Sequence, residues 1–174
     1  TCICTATSLA VTGFVQDNTA PELLSFLIDM DGDGSLTLSF SETYNFASVT
    51  TSQLTLKSNE AGTESVVLSG SSYKELGSNT MLKIVLTAGD LNAIKSKRLL
   101  AVDAASTYMT ITDQFVEDTA LKKIEPVTTQ VIDGGFTADA TKPSLSEYTF
   151  DLHDGKILMT FDETIDAATF DQTK

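Results

Sequence analysis

The sequence contains no tryptophan, a single histidine and two cysteines among its 174 residues. A Ser-His-Asp or Cys-His arrangement would have to use His153, which lies in a predicted turn, where a solvated loop histidine is the ordinary role. The P-loop, the G-x-G-x-x-G motif and the H-E-x-x-H motif are also missing. The sequence therefore predicts that the chain has no catalytic residues and is not an enzyme.

Basic residues are scarce as well. The chain has 11 lysines and arginines against 24 aspartates and glutamates, for a formal net charge of -13 and a pI of about 4.2. Nucleic acids and anionic membrane surfaces are bound by clustered basic residues, so neither is a predicted partner. No run of 18 apolar residues is present, which predicts no membrane insertion. Such acidity favours solubility and is also common in chains exposed to salt or divalent cations.

Acceptor sites for N-linked glycans are missing, because no asparagine is followed two residues later by serine or threonine. Any glycan partner would therefore be O-linked, on hydroxyl groups exposed in loops and junctions. The alternative is that these hydroxyls are ordinary polar residues of a β-surface. The candidate acceptors are Thr50, Thr51, Ser71, Ser72, Thr128 and Thr129.

Both cysteines, Cys2 and Cys4, stand at the start of the sequence. A disulfide between them would be strained, because residues two apart in a strand do not reach the preferred separation and torsion. Two thiolates alone would also leave a metal site incomplete. The remaining interpretations are two half-buried strand residues, or cross-links to a neighbouring module or chain.

The most informative feature of the sequence is a repeat. Leu36, Leu38 and Phe40 alternate with hydroxyl-bearing residues in a predicted strand, and Ile157, Met159 and Phe161 form the same pattern 121 residues later. The preceding junctions also match: Gly13-Phe14, Asp17 and Pro21 return as Gly135-Phe136, Asp139 and Pro143 after 122 residues. Because loops absorb insertions and strands do not, the one-residue difference falls in the turn at 31–34.

This repeat predicts the organisation of the chain. Residues 1–16 match the last strand of a module, residues 17–138 form one whole module, and residues 139–174 form the first hairpin of the next. A two-stranded hairpin alone is marginally stable in water. We therefore expect residues 139–174 to pair with strands from a longer chain or from a neighbouring molecule.

Within residues 17–138 most apolar residues alternate with polar ones in short runs. Such a pattern, with frequent turns, predicts an all-β fold, an antiparallel β-sandwich. One segment, Thr87–Lys95, lacks the strand period. Thr87 can cap a short helix there, and Asp90 can complete a reciprocal capping pair with it, which leaves Leu91 and Ile94 facing the core. The predicted strands are 22–30, 35–41, 53–57, 65–69, 81–87, 106–112 and 126–132.

Several of these segments together resemble a family. A strand that opens after Pro21, a Gly/Asp hairpin, the strand Leu36–Thr43 and the segment Asp90–Lys95 are similar to the Ig-like repeats of large extracellular proteins, including the bacterial and S-layer-associated Ig-like classes. The resemblance covers residues 17–138 fully and 139–174 in part. It implies an Ig-like sandwich in surface stalks, adhesins, sheaths or glycan-coated filaments, and it carries no catalytic residue.

Two acidic motifs are candidate cation sites. Asp29, Asp31 and Asp33 match the first half of an EF-hand loop, but its twelfth position is Phe40 instead of a bidentate glutamate. The motif is therefore either a hairpin turn or a weak Ca²⁺ site, and no other cofactor is predicted. Glu42 and Glu163 end equivalent strands, where they favour structural capping or a cation at a module junction.

The terminal segments support a functional hypothesis. Residues 1–16 form an uncharged, alternating strand that can pair with the sheet edge of a neighbour, and such head-to-tail contact builds a fibre. We expect a structural subunit of an extracellular filament or surface stalk, whose partners are copies of itself or adjacent modules. The alternative is an adhesion or carbohydrate-binding module assisted by Ca²⁺. The predicted interface residues are Ile3, Leu9, Val11, Phe14, Tyr148, Phe150, Ile157, Met159 and Phe161.

Overall fold

A computed structural model describes residues 11–32, 34–70, 72–77 and 79–171. Within these ranges it contains eleven strands, one α-helix and four short 3-10 turns. The elements are β1 Leu23–Asp29, β2 Ser35–Phe40, β3 Leu54–Lys57, β4 Ser65–Val67, β5 Ser72–Glu75, β6 Met81–Val85, α1 Ala88–Lys95, β7 Tyr108–Ile111, β8 Val127–Val131, β9 Phe136–Thr137, β10 Leu145–Asp151 and β11 Lys156–Phe161.

The strands form three sheets, and two of them share one core. The first sheet has the order β5-β6-β2-β1-β9, the second β4-β3-β7-β8, and β10 pairs with β11 alone. Phe26 and Leu38 of the first sheet lie in the same buried cluster as Leu56 and Met109 of the second and Ile94 of the helix. The predicted all-β class with one short helix is confirmed, whereas the Ig-like type of the sandwich stays a prediction.

Strand β2 illustrates why the sequence folds this way. Leu36, Leu38 and Phe40 are buried on one face, as the alternation predicts, while Thr37 and Ser39 are half-buried on the other. β2 lies between β1 and β6, with Leu36 opposite Ile28 on one side and Ile84 on the other. Cross-strand pairing of apolar residues on the core face therefore fixes the register of the central strands.

Helix α1 begins where Thr87 caps it, because the Thr87 side chain accepts a hydrogen bond from the backbone N–H of Asp90. Leu91 and Ile94 are buried, as predicted. The carboxylate of Asp90 accepts hydrogen bonds from the backbone N–H and the hydroxyl of Ser69. Burial would raise the pKa of Asp90, but the hydrogen bonds from Ser69 and Thr87 outweigh it and hold that pKa below its usual value. Asp90 thus ties the helix to the loop after β4.

Two strands were not predicted from the sequence. β5 (Ser72–Glu75) is mostly polar and exposed, so it carries no alternation to detect. β9 has two residues and runs parallel to β1, with Phe136 beside Ile28. β9 therefore departs from the predicted antiparallel arrangement at this one edge, where the chain returns beside the strand that began the module.

Gly134 permits this return, because its backbone N–H donates to the Phe26 carbonyl and a β-carbon there would lie 2.7 Å from that oxygen. We expect Gly134→Ala to lower the free energy of unfolding by about 1–3 kcal/mol, since backbone atoms must move. Denaturant titration measures the loss. Gly70→Ala is the matched control, as a β-carbon there meets nothing within 4 Å. Equal effects of the two substitutions would contradict this account.

The β10–β11 hairpin reproduces the β1–β2 hairpin in detail. Both have a register irregularity near the start of the first strand, at Leu23/Ser25 and at Leu145/Glu147. Ser41 Oγ accepts from the Glu22 N–H at 2.9 Å, and Asp162 Oδ1 accepts from the Ser144 N–H at 2.7 Å. The repeat read from the sequence thus extends to hydrogen bonds, while the module boundaries stay a prediction.

The two hairpins differ in burial. Phe26 and Leu36 are fully buried, but their repeat counterparts Tyr148 and Ile157 are exposed. Phe150 is also exposed, and Met159 and Phe161 are half-buried. The apolar face that packs into a core in the first hairpin therefore faces solvent in the second.

Candidate functional site at the junction of two repeats

The strongest polar constellation joins helix α1 to the second hairpin. The Lys95 ammonium lies 2.9 Å from Asp139 Oδ2 and also forms an ion pair with Glu163 Oε1. The side chains of Lys95 and Glu163 are only 8% and 13% exposed, and that of Asp139 is 34% exposed. One lysine thus pairs with two carboxylates from the next repeat, and the Lys95 and Glu163 side chains are largely out of water while Asp139 is partly exposed.

The electrostatics of this group favour the charged lysine. Burial alone would lower the pKa of Lys95, but the hydrogen bonds and charges of Glu163 and Asp139 outweigh it and raise that pKa above its usual value. Because the folded-state pKa is raised, the stabilisation is fully present at neutral pH and is lost only as alkaline pH rises through the raised value. Lys95 therefore stays charged throughout the physiological range.

Three further contacts cross the same junction. Thr164 Oγ1 donates to Asn92 Oδ1 at 2.8 Å, and Arg98 forms an exposed ion pair with Asp166. Asp31 Oδ1 accepts from the Thr141 hydroxyl at 2.8 Å, and also from the backbone N–H groups of Thr141 and Ala140. The hydrogen bonds from Thr141 and Ala140 lower the pKa of Asp31. The turn after β1 and the end of α1 together hold residues 139–166.

A second acidic group lies where the repeat begins. Oxygens of Asp17, Glu42 and Asp118 all lie within 4.8 Å of one another. Glu42 Oε1 and Asp118 Oδ2 are buried and have no hydrogen-bond partner among the described residues. Burial and the neighbouring charges of Asp17 and Asp118 raise the pKa of Glu42. This group concentrates negative charge, and no basic side chain among the described residues forms an ion pair with it.

The raised pKa of Glu42 has a measurable consequence for the chain alone. Between the ordinary and the raised pKa the folded chain binds more protons than the unfolded chain, so stability falls as pH rises through this window. We expect the free energy of unfolding to increase as pH falls from neutrality toward the ordinary pKa of glutamate. Denaturant titrations across this range test it, with Glu42→Gln as the variant that should lose this dependence. An unchanged pH profile in Glu42→Gln would contradict the assignment.

The described residues of the predicted Ca²⁺ motif make hydrogen bonds within the turn and across the junction. Asp29 Oδ1 accepts from the Asp31 N–H at 3.1 Å, as expected for a turn, and Asp31 binds the Ala140–Thr141 turn. Asp33 lies outside the described residues. Ca²⁺ at Asp29, Asp31 and Asp33 stays a prediction. His153 is exposed in the second hairpin turn, where its backbone N–H donates to Asp151 Oδ1.

The predicted interface residues near the start of the chain are only partly described. Val11 and Phe14 are exposed, as is Val15 beside them. Ile3 and Leu9 lie outside the described residues, together with Cys2 and Cys4, so strand donation and the cysteine predictions stay predictions. In the part of the chain that is described, no helix has the length and apolar character needed to cross a bilayer.

One predicted glycan acceptor is not exposed to solvent. Thr51 is buried, because it opens the 3-10 turn that leads into core strand β3. Thr129 is half-buried, and Ser71 lies outside the described residues. Thr50, Ser72 and Thr128 are exposed, and O-glycosylation stays a prediction for these three and for Ser71 and Thr129.

Sequence reasoning found part of the junction and missed the rest. Glu42 and Glu163 were singled out because they end equivalent strands, and Glu163 does meet a cation at a junction, the Lys95 ammonium. Lys95 and Asp118 carried no local signal. Asp17 and Asp139 recur in the repeat, and that recurrence was the available indication that both positions matter.

Comparisons with known proteins give partial similarity. No family model and no curated protein matches the chain. Solved structures of the S-layer protein SbsC are similar at 17% identity: domains 1–6 with a TM-score of 0.47 over 78% of this chain, the fragment rSbsC(31-844) with 0.44 over 77%, and the N-terminal part of this bacterial protein with 0.43 over 86%. The matches span 16%, 15% and 32% of those chains. TM-scores below 0.5 do not establish a shared fold.

Proposed function

We propose that the chain is a structural segment of an extracellular filament or surface stalk, in which Ig-like β-sandwich modules follow one another head to tail at a fixed angle. The observation that carries the proposal is the largely buried Lys95–Glu163 ion pair, joined by the partly exposed Asp139, between the two repeats. The resemblance of residues 17–138 to Ig-like repeats of extracellular proteins supplies the location.

A flexible linker would not need such a group. Domains joined by a few polar residues move relative to one another unless their interface is built to prevent it. A lysine shared by two carboxylates favours a narrow geometry, because a small displacement that does not yet admit water leaves charges unpaired and poorly hydrated. The flanking Asn92–Thr164 and Asp31–Thr141 hydrogen bonds further restrict the orientation of the second hairpin, because hydrogen bonds are directional. Repetition of one such junction gives a straight or regularly twisted array.

The exposed apolar face of β10–β11 fits the same proposal. Tyr148, Phe150 and Ile157 occupy positions whose counterparts are buried in the first module. Strands of an adjoining module, in a longer chain or in a second copy, would cover this face. Val11 and Phe14, exposed before the first module, are the described residues that would take part in strand sharing.

A distance measurement tests the fixed angle. Spin labels on exposed residues Ser52 and His153, in a chain whose cysteines are replaced by serine, report the separation of the first sandwich and the second hairpin. We expect one narrow distance distribution. A broad distribution in the unmodified junction would refute a fixed angle. Electron micrographs of the native material should show fibres with a regular axial repeat, and dispersed globular particles would count against the array.

A further inference from the structure

The Asp17, Glu42 and Asp118 group has the features of an unfilled binding site. Asp118 is 2% exposed; its Oδ1 accepts from the Lys122 backbone N–H at 2.7 Å, while its Oδ2 is buried and unpartnered. Glu42 Oε1 is likewise buried and unpartnered. Buried carboxylate oxygens without a hydrogen bond or cation are costly. Two such oxygens beside a third carboxylate indicate that a cationic group belongs between them.

The repeat indicates which cation. Asp17 and Glu42 correspond to Asp139 and Glu163, the two carboxylates that hold the Lys95 ammonium. The local geometry is shared as well: Asp17 Oδ1 accepts from the Thr19 N–H at 3.0 Å, and Asp139 Oδ1 accepts from the Thr141 N–H at 3.2 Å. The same acidic pair thus holds a lysine at one junction, whereas at the other it has no ion pair with any described lysine or arginine.

The number of available acceptors also favours an ammonium group. An ammonium donates three hydrogen bonds, and three carboxylates converge here. A Ca²⁺ ion takes six to eight oxygens. Asp17 and Asp118 have each committed one oxygen to a backbone N–H, which leaves too few protein ligands for a Ca²⁺ site without many waters.

We propose that Asp17, Glu42 and Asp118 bind the ammonium of a lysine from an adjoining module. That lysine would correspond to Lys95, which binds Asp139 and Glu163 of the second hairpin. This inference rests on the proposed head-to-tail array and names the partner group at its other junction. Asp118 is an additional acceptor at this site, and its counterpart in the second repeat would fall beyond the described residues.

Glu42→Gln should act in opposite directions in the isolated chain and in the array. In the isolated chain it removes one of three repelling carboxylates, so we expect the melting temperature to rise, by about 2–4 °C. In native material it removes an acceptor, so the modules should separate at a lower denaturant concentration or a lower salt concentration. Glu163→Gln is the matched control, because it should weaken the occupied junction in both settings.

Carbodiimide cross-linking of native material, followed by peptide mass spectrometry, tests the inference. We expect a Lys95–Glu163 or Lys95–Asp139 product, and a second product that joins Asp17, Glu42 or Asp118 to a lysine outside residues 17–138. The first product without the second would overturn the lysine acceptor and leave the array intact. Absence of both would instead refute the built junction and the proposed function with it.

A metal-binding measurement distinguishes a lysine ammonium from Ca²⁺ as the occupant of this site. Addition of CaCl₂ alone to the isolated chain should leave its melting temperature unchanged, because the site is built for an ammonium group. A Ca²⁺-dependent rise that disappears in Glu42→Gln and persists in Glu163→Gln would overturn the inference in favour of a metal site.

Discussion

Replacing Lys95 with methionine should release the second hairpin from helix α1 while the first sandwich stays folded. Methionine keeps most of the length and apolar stem of lysine, but it leaves Glu163, which is largely out of water, and the partly exposed Asp139 without a cation. Removal of one partner from a fully buried ion pair costs about 3–5 kcal/mol, and solvent screening at Asp139 reduces that cost here. That cost exceeds the stabilisation from the remaining exposed contacts. The docked arrangement of the second hairpin should therefore no longer be the main conformation.

The measurement is the distance distribution between labels at Ser52 and His153, which should broaden in Lys95→Met. Circular dichroism of the first sandwich should hardly change, because the Lys95 head group lies outside the core that Leu91 and Ile94 enter. Arg98→Met is the matched control: it removes the Arg98–Asp166 pair across the same junction, but both side chains are exposed. Exposed pairs contribute about 0–1 kcal/mol. Equal broadening in the two variants would show that burial of the Lys95 group is not what fixes the angle.

Most of the first module could be predicted because its signals are local. Leu36, Leu38 and Phe40 alternate with polar residues, and a strand with one buried face produces that pattern wherever it occurs. The helix was equally readable, since Thr87 can cap and the segment after it loses the strand period. In each case the residues that make the pattern are also the residues that form the element.

The junction could not be predicted in the same way. Lys95 meets residues that are 44 and 68 positions later in the sequence, and one lysine at the end of a short helix looks the same whether it is solvated or paired. The two-residue strand β9 is too short to show any period, and its parallel pairing depends on where the chain returns. Thr51 was misjudged for a related reason, because a hydroxyl near a turn gives no sign of the core strand it precedes.

The repeat supplied the long-range information that local patterns lack. It relates Glu42 to Glu163 and Asp17 to Asp139 from the sequence alone, and in the structure Lys95 pairs with Asp139 and Glu163 while no described lysine pairs with Asp17 or Glu42. A recurring charged residue in a surface position is therefore informative in a repeat protein, since modules have equivalent surfaces only where they meet equivalent neighbours.

Alanine at equivalent positions of the two hairpins should give very different losses of stability. Leu36 is completely buried between Ile28 and Ile84, so we expect Leu36→Ala to cost about 2–5 kcal/mol, from lost burial and the cavity left behind. Ile157 occupies the same repeat position but is 60% exposed. In the isolated chain Ile157→Ala should therefore change the free energy of unfolding by less than about 1 kcal/mol.

The same pair of variants distinguishes a naturally exposed hairpin from one that awaits a neighbour. If adjoining strands cover the β10–β11 face in native material, Ile157→Ala should be nearly neutral in the isolated chain and should destabilise the array strongly, because Ile157 then becomes a core residue like Leu36. Denaturant midpoints of the isolated chain and dissociation midpoints of the native material measure the two quantities. Ile157→Ala that is neutral in both would show that this face stays in contact with water, and that the second hairpin is complete as it stands.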